Sequence, residues 1–541
     1  LFYGFRPVQH LFFAFDATNE EKYLKKAEEM ALSFIDHGTD QIHSWDDFHG
    51  VSFRTMYLVK TWWMLRENNL LTYETSEKIL KSIEAHGDFL ADPNHYEKSF
   101  NHGLNEAAAL YLVAVNFPDL PSASEWLDLS KNRLGDSLTA VVDADGVLIE
   151  NSPYYHFYTL EKYWELYNFA QKHNFPISDI FNKRLQEMIS HATYILQPDK
   201  EIPLLGASLG RKVLYSGIYK DIAQSFPELK YVLTSGKEGK KPSNLSIVYP
   251  ESGEVLMRSG WEKGEEFENQ AQAIFDFGPY RTLHSDLDAM SFSLYANGIN
   301  LMPDAGLYAY EESDYKNYFR GTASHNTVLV DDLDQAKGIA ILGDFKETKD
   351  YVFQSAEHEL YNGISHKRSG ILIGKKYLLI LDKLTSDQEH TYNQLFHLFP
   401  GAKIATSGTS VKVFASSDDG EEEVMNIFQM APDSIFLKSV IGQTSPVDGW
   451  CAKEYAKAIP CYSLKYEQKS QNVTYATLIE IGKHDTHLFY SYDGKSIKIS
   501  DSSRAINIDV VDIEGSRGGV TATNNTLIEV EKTSLDILKP E

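Results

Sequence analysis

Cysteine is nearly absent from the 541-residue chain, which has only Cys451 and Cys461. Zinc-finger and thioredoxin-type spacings are therefore missing, and an interval of ten positions leaves a disulfide and two unlinked thiols both open. No apolar run reaches the roughly eighteen residues that a membrane-spanning helix needs. Positive charge is also short: 51 Lys and Arg against 77 Asp and Glu give a net charge of −26. That balance argues against general nucleic-acid binding, which needs a basic footprint. A polyanionic ligand stays open, because a few Arg, Lys, Asn and His side chains focused in one cleft can hold it. No charged-then-apolar segment precedes Phe2, and the chain starts at Leu1. It reads as a mature or trimmed chain, with a secreted, periplasmic or cell-surface location expected and the export signal outside the sequence.

What remains is a soluble globular composition, 43% hydrophobic and 24% charged, too long for one core. From Leu1 to about Lys230, apolar residues recur at three- and four-residue spacing, as in Glu20–Asp36, Thr55–Asn68, Ser76–Leu90, Leu104–Val115 and Leu160–Lys172. Breakers at Asp92-Pro93, Phe117-Pro118 and Phe175-Pro176 separate them. Paired helices without heptads fit an incomplete (α/α) toroid over residues 1–234, with an α-solenoid as the alternative on periodicity. The polar stretch Ser235–Asn244 reads as a linker. Beyond it the period is two. Ser291–Tyr295 and Ile299–Met302 flank Asn297-Gly298, a strong hairpin signal, and further strands are expected at Thr327–Val330, Ile371–Ile373, Tyr377–Leu381 and Leu395–Leu398. The fold class is α+β multidomain, the toroid being followed over 245–541 by an antiparallel β-sandwich. A small β unit of its own is expected from about Pro446.

Three places carry chemistry. Asn101-His102-Gly103 opens a helix, where free N–H groups and the dipole favour an anion, and where Asn is also a common cap. Glu150-Asn-Ser-Pro-Tyr154-Tyr155-His156-Phe-Tyr158 packs phenols and an imidazole beside a proline-stiffened turn after Asp145-Gly146. Such phenols serve as well for a core or a sugar-stacking surface. The third is His284-Ser-Asp286-Leu-Asp288, then Asp304-Ala-Gly306, then His325-Asn-Thr. If His284 to Leu294 is a strand, His284, Asp286, Asp288, Met290, Phe292 and Leu294 share one face. Inward charges need partners, either each other or a divalent cation.

These segments resemble the heparinase II/III superfamily of polysaccharide lyases, which also includes alginate and other uronan lyases. Where that family reads like HGHADALSF, LIDPG and AHNTV, this chain reads HSDLDAMSF, LMPDAG and SHNTVLVDD. NHGLNE and ENSPYYH look like its N-terminal segments, with Tyr155 lying 54 residues after Asn101. The resemblance implies a lyase cleaving a uronic-acid-containing, acidic polysaccharide by β-elimination. Asn101 and His102 then match the groups that neutralise the uronate carboxylate, and Tyr155 matches the catalytic tyrosine. His284 matches a catalytic base or carboxylate partner. Asp286, Asp304 and His325 match metal ligands for a structural divalent ion, with no organic cofactor. Asp286 stands where the family has a second His, which admits manganese or calcium beside zinc. Tyr154, Tyr158, Arg281, Tyr310 and Arg320 flank the motifs and are expected to contact substrate. A glycoside hydrolase with Glu106 and Glu150 as its carboxylates, and a non-catalytic polysaccharide-binding protein, are the competing expectations.

Overall fold

A computed structural model describes residues 4–37, 44–98, 101–281, 284–418, 420–431, 434–494, 496–501 and 505–509. Helices occupy Arg6–Thr18, Lys22–His37, Phe48–Glu67, Tyr73–Ala91, Asn101–Asn116, Ala123–Val141, Pro153–Lys172, Asp179–Ile195, Gly217–Ser225 and Pro227–Leu233. Each expected helix is present, usually starting a few residues earlier than its apolar pattern. The first turn is polar or capped: Asp47 and Thr72 each accept a backbone N–H at the start of their helices. By contact grouping, 1–148 and 157–191 form one compact unit, and 149–156 with 192–541 form the other. The linker region carries no helix or strand, while the segment 192–233 just before it groups with the second unit.

Within the first unit, Val8, Phe12, Leu58, Leu65, Ile83, Leu90, Leu110 and Trp126 build one core from consecutive helices. Arg54 is fully buried there, and its guanidinium donates to His86 Nε2 at 2.8 Å and to the Ser44 carbonyl at 3.0 Å. A buried charge is tolerable because these hydrogen bonds engage the guanidinium and Phe34 and Trp45 face the cation.

The second unit is antiparallel sheet. Five strands pair in chain order from Ile247–Tyr249 to Ile299–Met302. A larger sheet runs Lys403–Ser407, Ser410–Ser417, Gly420–Gln429, Tyr462–Ile481, Tyr377–His397, Ile364–Ile373, Tyr351–Tyr361 and Ile341–Glu347, with two short strands attached. Alternation explains its apolar runs. Leu378 and Ile380 join the core shared with Phe275, Phe292 and Leu294 of the smaller sheet. Tyr377 and Leu379 point to the other face, which Ile497 and Ile499 of a third small sheet cover.

Two expectations are corrected here. Tyr377–Leu381 and Leu395–Leu398 are not separate strands: the first and most of the second lie in the single strand Tyr377–His397, whose exposed middle interrupts the apolar signal. The chain after Pro446 is also not one unit. Tyr462–Ile481 lies inside the large sheet, while Trp450–Glu454 with Lys457–Pro460, and Phe489–Tyr492 with Ser496–Ser500 and Ala505–Asp509, form two separate small sheets. Cys451 and Cys461 are joined by a disulfide across the base of the hairpin Trp450–Glu454 and Lys457–Pro460.

Candidate active site

The first unit holds a histidine pair. Asn101 is the first residue of its helix, and its side chain lies outside the described residues. His102 follows, with Nδ1 2.6 Å from Glu97 Oε2 and its ring 4.0 Å from that of His49. Gly103 permits this packing, since a Cβ there would stand 2.4 Å from the Glu97 carbonyl oxygen. Asn105 Nδ2 lies 3.0 Å from His49 Nε2. Burial, together with the nearby His102 and Arg6, lowers the His49 pKa to about 4, so His49 is neutral and accepts from the amide. His49 was missed in the sequence because it sits far upstream, in the first turn of a helix that carries no motif. Glu106 is buried, accepts the Glu97 backbone N–H at 2.9 Å, and is pushed up to about 7 by that burial.

The second unit holds an aromatic and acid–base cluster. Tyr155 lies in the first turn of Pro153–Lys172, where Ser152 Oγ accepts its backbone N–H. Its ring lies parallel to that of His284 at 4.3 Å, with planes 4° apart. Its hydroxyl is 2.8 Å from that of Tyr310, whose pKa is raised by burial and by this hydrogen bond. His284 Nδ1 is 2.8 Å from Glu150 Oε2. Tyr154 meets Tyr155 edge-on at 5.6 Å. Tyr455, from the turn of the disulfide-closed hairpin, packs its ring 6.0 Å from that of Tyr310 and donates to Glu311 at 2.8 Å. The pairings of Glu150 with His284 and of Tyr455 with Tyr310 were not read, because nothing local in the sequence reports a partner 134 or 145 positions away.

The other expected contacts are placed differently. Tyr158 belongs to the first unit, where the Lys162 ammonium lies 5.8 Å from its ring. The Arg281 guanidinium donates to the Glu251 carbonyl. Arg320 is paired with Asp286 at 3.2 Å and donates to the Ser285 carbonyl, so its charge is engaged in holding the acidic segment.

That segment corrects the expected strand. His284 to Met290 is irregular, Met290 has φ +64°, and the strand begins at Ser291, so alternation does not assign its faces. Among the described residues, the set whose ligand atoms come together is Asp288, Asp304 and His325, all buried and within 4.8 Å of one another, with Asp288 in the place expected for Asp286. Burial raises the pKa of Asp286 and of Asp288. Burial also opposes charge on His325, but Asp304 and the other carboxylates outweigh it and hold the ring up to about 10. His325 Nδ1 is 3.0 Å from Asp304 Oδ1, while Nε2 is buried without a hydrogen-bond partner. Two carboxylates and an imidazole with an unpartnered nitrogen fit a divalent cation.

Family models match both parts of the chain: heparinase II/III N-terminus at residues 8–233, and heparinase II/III-like, C-terminal at 241–472. A heparin-sulfate lyase of Pedobacter heparinus is 25% identical over 457 residues, covering 82% of this chain and 66% of that protein. One from Bacteroides stercoris is 26% identical over 399 residues, covering 71% of this chain and 57% of the relative. The chain therefore spans less than two thirds of the length of these curated relatives. Among solved structures, a mutant heparan sulfate lyase of Pedobacter heparinus superposes with a TM-score of 0.79 at 22% identity. That match covers 94% of this chain and 82% of the other, so the helical N-terminal region and the sheet-rich C-terminal region share its fold. On both models, this chain belongs to the heparinase II/III-like family.

Proposed function

We propose that the chain is a polysaccharide lyase that cleaves a uronic-acid-containing polymer by β-elimination. The observation that carries the reading is the parallel stack of Tyr155 on His284, with Glu150 on one ring nitrogen and Tyr310 on the phenol. Removing the proton beside a uronate carboxylate shifts charge onto that carboxylate. Donors aimed there stabilise the transition state, a role that Asn101 and His102 take by their match to the family pattern. A base takes the C5 proton and an acid protonates the leaving glycosidic oxygen. Tyr155 and His284 supply this acid–base pair. The relatives named as heparin-sulfate lyases make heparin and heparan sulfate the first polymers to test, ahead of hyaluronan, alginate and bacterial exopolysaccharides. The disulfide supports a secreted, periplasmic or cell-surface location.

The direct assay is near-ultraviolet absorbance of the products. A lyase makes an unsaturated uronate, a hydrolase makes only new reducing ends, and a binding protein makes neither. New reducing ends without absorbance on every polymer overturn the reading. Asn101→Ala is expected to lower kcat more than it raises KM, because the carboxylate gains charge only as the proton leaves. A raised KM at unchanged kcat would assign Asn101 to binding or capping alone.

Asp288, Asp304 and His325 would hold a zinc, manganese or calcium ion, which would neutralise buried carboxylates and tie together the segments that carry them. Its contribution is then to stability. A ligand bound only by the folded chain at a hundredfold over its Kd adds about 2.7 kcal/mol. Chelation, or Asp288→Ala, is expected to lower the melting temperature, with elemental analysis of protein purified without added metal identifying the ion. A metal-free preparation that resists heat equally well would leave the three as structural groups.

A further inference from the structure

We infer that Glu150 is a positioning residue for His284, fixing the ring proton on Nδ1 so that Nε2 carries the lone pair used in the reaction. The inference rests on the lyase reading for the identity of that reaction and deepens it by making His284 the base. Glu150 Oε2 and His284 Nδ1 are 2.8 Å apart, with side chains 12% and 20% exposed. A neutral imidazole has one donor and one acceptor nitrogen, and the hydrogen bond at one decides the state of the other. A carboxylate accepts only, so it selects the Nδ1–H form.

The two groups are held by a shared strap. The Ala207 N–H donates to the His284 carbonyl at 3.0 Å. Ser152 Oγ donates to the Ala207 carbonyl at 2.9 Å and lies 3.0 Å from Ser208 Oγ. Gly206, at φ +52°, makes this approach possible, since a Cβ there would stand 2.1 Å from the Asn151 carbonyl oxygen and 2.9 Å from that of His284. Asn151 also has a positive φ, 52°, which turns the chain between Glu150 and the strapped Ser152. The ring itself is flanked by Tyr155 at 4.3 Å and Tyr310 at 5.9 Å. With the ring clamped by aromatic neighbours and its backbone strapped, the contribution left to Glu150 is the placement of the proton. When Nε2 takes the C5 proton, the C–H electron pair moves towards the uronate carboxylate. Glu150 then faces the imidazolium that forms, the arrangement that favours its charge.

The test uses the full chain labelled with 15N-histidine, with the His284 signals assigned by their loss in His284→Gln. Long-range proton–nitrogen correlation spectra, taken where the ring is neutral, report which nitrogen carries hydrogen. The wild-type ring is expected as Nδ1–H, and Glu150→Ala is expected to move it towards Nε2–H. Glu150→Gln retains Nδ1–H, because the amide oxygen still accepts. On a polymer that the wild type degrades, Glu150→Ala is expected to lower kcat by roughly ten- to a hundredfold, the range for a partner acting through another residue. KM stays unchanged, and Glu150→Gln recovers most of the loss. A wild-type His284 in the Nε2–H form, or one unaltered by Glu150→Ala, overturns the assignment. Should the wild type make no unsaturated uronate from any polymer, the lyase reading fails, while the tautomer still decides what Glu150 does to His284.

Discussion

Tyr155→Phe is expected to lower kcat by a factor on the order of 10² to 10⁴, the usual cost of losing a positioned acid or base. The ring is the larger part of the side chain's packing, and the substitution keeps it, so the stack on His284 at 4.3 Å survives and only the hydroxyl is lost. Stability and KM are therefore expected to change little, and the split between kcat and KM distinguishes chemistry from folding. The neighbouring phenols provide the controls. Tyr154 touches Tyr155 only ring to ring at 5.6 Å, so Tyr154→Phe is expected to retain most activity. Tyr310→Phe is expected to fall between, since its hydroxyl lies 2.8 Å from that of Tyr155 and solvates it without being the transferring group. Full activity in Tyr155→Phe with a dead Tyr154→Phe would move the acid–base role one residue along the turn.

How much of this was legible in the sequence varies with the range of the interaction. Asn297-Gly298 reports its hairpin because the turn is local, and both residues take the positive φ that such a turn needs. Helix placement was equally accessible, since burial on one face imposes its own period. The segment from His284 to Met290 was not, because ionisable residues at 284, 286 and 288 have the spacing of a strand face, although the backbone is irregular and Ser285 is buried beside Asp286. Met290 at φ +64° breaks the extended backbone there, and nothing in a methionine announces a left-handed residue. Asp286 was expected as a ligand by its match to the family pattern; in the irregular segment it pairs with Arg320 at 3.2 Å, and it is Asp288 that joins Asp304 and His325. Glu150 lay in plain view within ENSPYYH and was weighed only as a hydrolytic carboxylate. Its partner is brought to it by the strap at 206–208, which carries no motif.

Arg368→Met is expected to destabilise the second unit by about 3–5 kcal/mol, the cost of leaving one half of a buried ion pair behind. Arg368 and Asp382 face each other across adjacent strands, and both are fully buried. The guanidinium donates from Nε to Asp382 Oδ1 at 2.7 Å and from Nη2 to Oδ2 at 2.8 Å. Nη1 donates to the carbonyls of Met290 and Asn326, each at 2.6 Å. One side chain thus braces the left-handed Met290, two positions after Asp288, and Asn326, directly after His325, so its loss loosens two of the three segments in the proposed cation site. The sign with pH follows from the carboxylate. Burial alone would raise the Asp382 pKa, but Arg368 outweighs it and holds the group below the ordinary range, with His366 assisting. In the wild type this stability is fully present above the unfolded carboxylate value, about 4, and is lost only as pH falls through the lower folded value. In Arg368→Met the same carboxyl is buried without its cation, so its folded pKa rises above the unfolded one and the chain is relieved by taking up a proton. The stability gap between the two proteins should therefore be widest near neutral pH and narrow as pH drops towards 5. Denaturant unfolding at several pH values measures it, and a gap that is constant or widens on acidification would show that Asp382 does not depend on Arg368 for its charge.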